Sequence, residues 1–432
     1  MATPTTTPAD SIVGRGAQEG GRLFRKWFAD LTAASQRGEK SAYVFVMGSL
    51  SEVLRVFDLN MVFPEINALQ TAVRRVSDTY LTQAEDYGYS PDICGYVKAD
   101  VAMQLKDGEH SMGRLPKPTI AVLTNACNTY IKWGEIWERL HGTAMFTLDV
   151  PGSRGSGPAP MPGEARFETD RRYVGEQIQE LIALCEKTTG RRFDIDRLRE
   201  VMGHANDMVR SYRRLLELNR NRPALFNAMI DGTVYLGMSN AFRGTAEGAT
   251  YFRQLVEEME YKAAKGIGVL EDERFRLAVA GVPCYPIFRR FNEMFTHWGG
   301  VFVYSTYLRF ASGGVNVDFQ YDLKRPMESL AEGVLLSVRD AMDSMFYPEQ
   351  ALAKAVGDYG LDGVVFHPIK SCRTTSTGMA DARRTFMNGH DIPSLLIESD
   401  MMDKRVVSEA QMKNRIDAFF ENLEVRKGKV AR

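Results

Sequence analysis

The residues of this 432-residue chain with the most distinctive chemistry are its five cysteines, Cys94, Cys127, Cys185, Cys284 and Cys372. An ionised sulfur is a nucleophile and a soft metal ligand. Scattered cysteines without a C-x-x-C pair suit neither a disulfide framework nor a zinc knuckle. Their surroundings rank them. Cys127 follows an apolar run ending near Thr124, Cys372 lies a few residues beyond a run ending near His367, and Cys94 precedes a helix-forming stretch. Three thiolates on separate loops suit an iron–sulfur cluster with one iron left open, because its irons prefer sulfur ligands. Spacing alone leaves the alternative that all three are small buried hydrophobes. Cys185 falls on the apolar face of a helix and reads as core. Cys284, in Ala280-Gly-Val-Pro-Cys-Tyr285, follows a strand and is held in reserve as a fourth ligand or a neighbouring thiol.

Other signals narrow the chemistry. Neither a G-x-x-x-x-G-K-S/T loop nor a well-placed G-x-G-x-x-G occurs, so the chain is not expected to hydrolyse ATP or bind a dinucleotide by those routes. Its six histidines form no H-x-x-x-H or H-E-x-x-H pattern, which counts against a zinc hydrolase. His367 alone adjoins a candidate loop, where it could orient a ligand or donate a proton, although a strand-end histidine is more often structural. In Gly48-Ser-Leu-Ser-Glu52, backbone N–H groups at a helix start could hold an anion or a thioester oxygen. Capping of that helix by Ser49 or Ser51 is the alternative. Lys98, Lys132 and Lys370 flank the three cysteines and could lower a thiolate pKa or meet a phosphate, against a default of solvated lysines.

Such residues need elements to bring them together. Ala42–Met47, Thr119–Thr124 and Ala144–Val150 read as buried strands, with helices from about Ser51 and over Asn128–Leu140, which makes a parallel βαβ unit. A second series of strands runs through Phe275–Ala280, Val301–Tyr304, Gly363–His367 and Ser394–Glu398. Between the two, helical spacing over Arg166–Arg222 predicts two long helices, Pro223–Arg243 reads as irregular, and Thr245–Ala264 extends the helical stretch. The expected fold class is α/β: two Rossmann-like or flavodoxin-like domains with parallel sheets, and a helical insert. The expected boundaries are a leader and first helix over 1–40, a first α/β domain over 41–163, the insert over 164–268 and a second α/β domain over 269–432. Met1–Asp10 reads as a mobile leader, and Gly152–Gly163, dense in Gly, Pro and Ser, as a linker. In open parallel sheets ligands gather beyond the carboxyl ends of the strands, where Cys127 and Cys372 fall.

Composition excludes several classes. Fifty-four Lys and Arg against fifty-five Asp and Glu leave a net charge of −1, so no global field favours nucleic acid as a partner. No apolar run approaches the roughly 18–20 residues of a membrane-spanning helix, and the first residues lack the pattern of a secretory signal. A cytoplasmic, reducing location is expected.

Taken together, three segments carry a resemblance. Asp92-Ile-Cys-Gly-Tyr-Val-Lys-Ala-Asp100, Leu123-Thr-Asn-Ala-Cys-Asn-Thr-Tyr-Ile-Lys-Trp133 and His367-Pro-Ile-Lys-Ser-Cys-Arg373 resemble the cluster-binding segments of the 2-hydroxyacyl-CoA dehydratase and benzoyl-CoA reductase family. Similarity extends over Phe57–Asn67 with its Phe-Pro-Glu-Ile-Asn, Phe193–Arg199, Ala241–Ala246, Ile397–Asp400 and Asn414–Ile416. It favours the B-subunits of the ATP-dependent (class I) reductases. The resemblance runs from about Ala42 to Leu423.

The resemblance implies that Cys94, Cys127 and Cys372 bind a [4Fe–4S]-type cluster, with Cys185 and Cys284 outside the pattern. It implies a related catalytic subunit with its own cluster as partner, and a separate activator pair, itself holding a cluster, that hydrolyses ATP in place of this chain. A low-potential donor such as ferredoxin would feed electrons in, and an aromatic acyl-CoA would be reduced to a cyclic dienoyl-CoA. Ser49, Asn125 and Lys370, beside the strand-end loops, are the candidates for stabilising charge on the thioester oxygen, and the sequence identifies no proton donor. The alternatives are a 2-hydroxyacyl-CoA dehydratase, which expels hydroxide without net reduction, a non-catalytic electron-transfer subunit, and a metal-free binding protein.

Overall fold

The computed structural model describes residues 12–152, 159–306, 308, 319–339, 342 and 348–430. The expected leader and the centre of the Gly152–Gly163 linker lie outside them. Strands β1 (Ser41–Val44), β2 (Asn60–Val62), β5 (Ile120–Thr124) and β6 (Ala144–Leu148) form one parallel sheet in the order β2-β1-β5-β6. Strands β7 (Phe275–Gly281), β8 (Gly300–Ser305), β9 (Gly363–His367) and β10 (Ser394–Leu396) form a second, in the order β10-β9-β7-β8. A small antiparallel ribbon pairs β3 (Glu109–His110) with β4 (Gly113–Arg114). The α/β class with parallel sheets is thus what the sequence leads one to expect.

These segments form strands for a simple reason. β1, β5, β7, β8 and β9 are buried at every residue. Parallel strands covered on both faces must read as unbroken apolar runs rather than alternating ones. β2, only three residues long, leaves no such signature and is an addition to the expected set. At Gly281 the backbone has φ +115°, and a Cβ there would lie 2.3 Å from the carbonyl oxygen of His367. Only glycine lets the ends of β7 and β9 come this close.

Two long helices, Ala165–Thr189 and Ile195–Leu218, and a third, Ala246–Lys265, follow the first sheet. Leu181, Leu198 and Tyr212 from these helices join Val44 and Leu123 in one hydrophobic core. The irregular passage expected over Pro223–Arg243 is corrected here, because Ile230–Ala241 is a helix. It is buried continuously from Tyr235 to Ala241, so its apolar residues form no stripe and the helical period is hidden. The first helix, Arg15–Arg37, buries Leu23, Trp27, Phe28 and Leu31 in the same hydrophobic core, and a carboxyl group fixes its start. Both oxygens of Glu258, itself buried, accept its N-terminal N–H groups, from Gly14 and Gly16, each at 2.7 Å.

Arg276, buried in β7, fastens the end of the insert to the second sheet. Its guanidinium donates to the carbonyls of Tyr359 (2.7 Å), Asn221 (3.0 Å) and Asn219 (3.1 Å) and pairs with Glu273 (2.6 Å). With every direction of the fork engaged, a charge can be kept inside the fold.

Candidate functional site

In each sheet the chain starts in the middle and builds outward in both directions. The strand order reverses between β1 and β5 in the first sheet and between β7 and β9 in the second. A crevice opens at the carboxyl ends of such a pair, because the connections on either side leave in opposite directions. Both crevices contribute to one cavity of about 60 Å³. Its walls include Val46 after β1, Cys127 after β5, Val282 after β7, and Cys372 with Thr374 and Thr375 after β9. Cys94 completes the set of three thiols, and Tyr96, Tyr130, Trp133 and Met401 make most of the remaining surface apolar.

Two of the cysteines are set by long helices. Cys94 is the residue before the Gly95–Leu105 helix and Cys127 the residue before the Asn128–His141 helix, so each residue stands at the positive end of a helix dipole. Gly95 must be small, since a Cβ would lie 2.6 Å from the Cβ of Met402. The Cys372 loop is fixed by Asp400, whose carboxylate accepts N–H groups from Ser371, Met402 and Asp403 at 2.8–3.0 Å. The loop before Cys94 is held by Lys98, which is 1% exposed and donates to Glu85 (2.9 Å) and the Pro91 carbonyl (2.7 Å).

The thiols themselves are half-buried. Burial pushes Cys94 well above the ordinary cysteine range, and the neighbouring Cys372 and Cys127 add to the rise. Cys372 is likewise raised by burial, although Thr375 opposes this by donating its hydroxyl at 3.2 Å. The Cys127 sulfur and the Thr374 hydroxyl are 3.1 Å apart. Among the described residues no three His, Cys, Asp or Glu side chains meet closely enough to hold a single metal ion. A cluster asks for something different, because each thiolate takes its own iron and the sulfurs stand around a shared space. Three soft donors around one apolar cavity, with no cationic side chain among the described residues of its walls, fit that demand.

Glu65 also lines the cavity wall; its Phe-Pro-Glu-Ile-Asn segment is part of the resemblance, but the sequence assigned it no site role. It follows Pro64 at the start of the Pro64–Val73 helix. Its oxygens accept the Val46 N–H at 2.9 Å and the Tyr130 hydroxyl at 2.8 Å. Burial raises its pKa to about 7, with those two donors pulling the other way.

The other expected residues lie elsewhere. Ser49 is buried against the Ser51 hydroxyl at 2.7 Å and does not line the cavity. Neither serine caps the Ser51–Val56 helix, where Leu50 takes the cap position with φ 46°. Asn125 ties the ends of β5 and β6 together through Asp149 and Val150, and it lines an adjoining cavity of about 590 Å³. Lys370 is 52% exposed, 3.9 Å from Glu398, and Lys132 pairs with Glu135 on the surface. Lys98, expected by default to be solvated, is instead buried. His367 donates from Nδ1 to the Val282 carbonyl and accepts the Ser399 hydroxyl at Nε2, both at 2.6 Å, so its ring is fully used in joining strand ends. Cys185 and Cys284 are buried in the hydrophobic cores, away from the three-thiol cavity.

Residues 49–423 match the family of the 2-hydroxyglutaryl-CoA dehydratase D-component. The chain is 31% identical to the B-subunit of the benzoyl-CoA reductase of Thauera aromatica, over 92% of each chain. It is 25% identical to the alpha subunit of (R)-phenyllactyl-CoA dehydratase of Clostridium sporogenes, over 91% of this chain and 92% of that one. To the alpha subunit of (R)-2-hydroxyglutaryl-CoA dehydratase of Acidaminococcus fermentans it is 23% identical, over 96% and 99%.

Proposed function

The chain belongs to the 2-hydroxyglutaryl-CoA dehydratase D-component family, and from that premise we propose that it is a catalytic-module subunit of an ATP-dependent aromatic acyl-CoA reductase. Its substrate in this reading is benzoyl-CoA, or a methyl-substituted benzoyl-CoA, and its product a cyclic dienoyl-CoA. One observation carries the cluster at the centre of this reading: Cys94, Cys127 and Cys372, from three distant segments, converge on one cavity at the strand ends of both sheets. The 31% identity to a benzoyl-CoA reductase B-subunit favours the reductase over the dehydratase. Relatives named as subunits favour a multi-subunit enzyme. The partners in this reading are a related catalytic subunit with its own cluster, an ATP-hydrolysing activator pair with a cluster, and a low-potential donor such as ferredoxin. Residues 41–163 and 269–432 then act as two α/β domains joined through the insert over 164–268.

Cys94, Cys127 and Cys372 would hold a [4Fe–4S]-type cluster, which when bound supplies low-potential electrons beside the thioester. Val46, Met47, Tyr130, Trp133, Val282 and Met401 keep bulk water from this space, which limits loss of electrons to protons. Glu65, whose pKa burial raises to about 7, can take up or release a proton near neutrality at a carboxyl group oriented by the Tyr130 hydroxyl and the Val46 N–H. The 60 Å³ cavity is too small for an acyl thioester, and the adjoining 590 Å³ cavity is of the size that small-molecule sites require. Thr129, Thr374 and Thr375 border both, and Asn125 lines the larger, so the thioester enters there with these polar groups near its carbonyl.

The test is turnover by the complete complex under anaerobic conditions with ATP. Consumption of reductant in step with benzoyl-CoA is the expected result. The dehydratase names of several relatives make the second reading specific. Turnover of a 2-hydroxyacyl-CoA after catalytic priming, with benzoyl-CoA untouched, would overturn the reductase assignment.

A further inference from the structure

The helices that carry Cys94 and Cys127 are joined by a buried carboxylate. Asp100, 1% exposed, lies six residues beyond Cys94, and Trp133 lies six beyond Cys127, about 9 Å along each helix. Asp100 Oδ2 accepts the indole N–H of Trp133 at 2.6 Å and of Trp137 at 2.7 Å, while Oδ1 accepts Gln104 Nε2 at 3.0 Å. Gln104 in turn meets His141 at 3.0 Å, at the far end of the second helix. Trp133 is itself part of the cavity wall.

No salt bridge reaches Asp100 among the described residues. A buried acid answered only by neutral N–H groups is a costly way to fill a core. An apolar side chain of similar volume would pack there with less desolvation. What the carboxylate supplies is direction, since it draws two indoles of one helix onto a single oxygen of the other, Trp133 from the matching position and Trp137 from one turn further on.

We infer that Asp100 is a positioning residue that sets the separation and relative height of Cys94 and Cys127. The inference rests on the reading that these cysteines hold a cluster. Asp100→Asn keeps the shape and one accepting oxygen, and Asp100→Leu removes the link altogether. Leu181→Ala, a core truncation in the Ala165–Thr189 helix outside the cavity wall, is the control for general loss of stability.

Each variant would be prepared anaerobically with its partner subunit and followed by EPR and by the rate of iron loss to a chelator. The iron-free chain would be treated with a reagent that bridges neighbouring thiols, and the Cys94–Cys127 product measured by mass spectrometry. Asp100→Leu is expected to lose iron roughly 10- to 100-fold faster, with a lower bridged yield. Asp100→Asn is expected to keep iron but show a shifted EPR spectrum, and Leu181→Ala to change neither. Asp100 variants that behave no differently from Leu181→Ala would overturn the inference. A wild-type complex without iron would instead overturn the cluster reading, and an unchanged bridged yield in the iron-free Asp100 variants would still refute the positioning role separately.

Discussion

A carboxyl group in an apolar wall stays there only if something holds it, and Glu65 is held by a tyrosine hydroxyl and a backbone N–H. That geometry presents a protonatable carboxyl group beside three thiols. Glu65→Gln preserves the shape and removes the proton. With general acid catalysis worth about 10²- to 10⁴-fold, the variant's kcat in the complete complex is expected to fall within that range while iron content is unchanged. A kcat within twofold of wild type would remove Glu65 from the reaction. The three cysteines are legible in the sequence because each sits in a strand-end or pre-helix segment with a recognisable neighbourhood. Glu65 falls in a segment that carries the resemblance, but its role is hidden because an acid directly after a proline reads as an ordinary solvated first-turn residue. The burial of Lys98 and Asp100 is hidden in the same way, because charge argues for the surface until a burial pattern says otherwise, and the Gly95–Leu105 helix is buried on all sides from Gly95 to Gln104.

At the scale of elements, the site depends on strand ends being stitched together. His367 does this between β9, the Val282 carbonyl and Ser399. Burial is the first cause of its lowered pKa, about 4, so the folded protein keeps the ring neutral where the unfolded chain would protonate it. His110, stacked on Phe28 beside the first helix, is lowered to about 4 for the same reason. The sign follows from proton counting: below about pH 6.5 the unfolded chain binds the extra protons, so stability is full above that value and is lost as the pH falls toward 4. Each ring can contribute on the order of 3 kcal/mol to that loss. Urea midpoints measured from pH 7 to pH 4 are expected to fall, and the fall should be smaller in His367→Gln. An equal slope in that variant would contradict the assignment. Strands are readable because parallel sheets demand apolar runs. The Ile230–Ala241 helix and β2 are not, one for want of an amphipathic stripe and the other for want of length.

At the scale of the molecule, two sheets that each reverse their strand order bring their crevices to one place, and the thiols arrive there from both. Cys94 and Cys127 belong to the first sheet's side and Cys372 to the second's. Two parallel sheets can be foreseen from the sequence, but not that their strand ends share a cavity, because that depends on packing between segments more than two hundred residues apart. Among the described residues no helix is long and apolar enough to cross a membrane. In the proposed reading these three cysteines together hold one iron–sulfur cluster. That assignment is tested most directly by iron and sulfide analysis with EPR on the anaerobically purified complex, comparing wild type with Cys94→Ser, Cys127→Ser, Cys372→Ser and Cys185→Ser. Each of the first three is expected to lose the same cluster signal, and Cys185→Ser to keep it. Unchanged iron and an unchanged spectrum in all four would contradict the assignment.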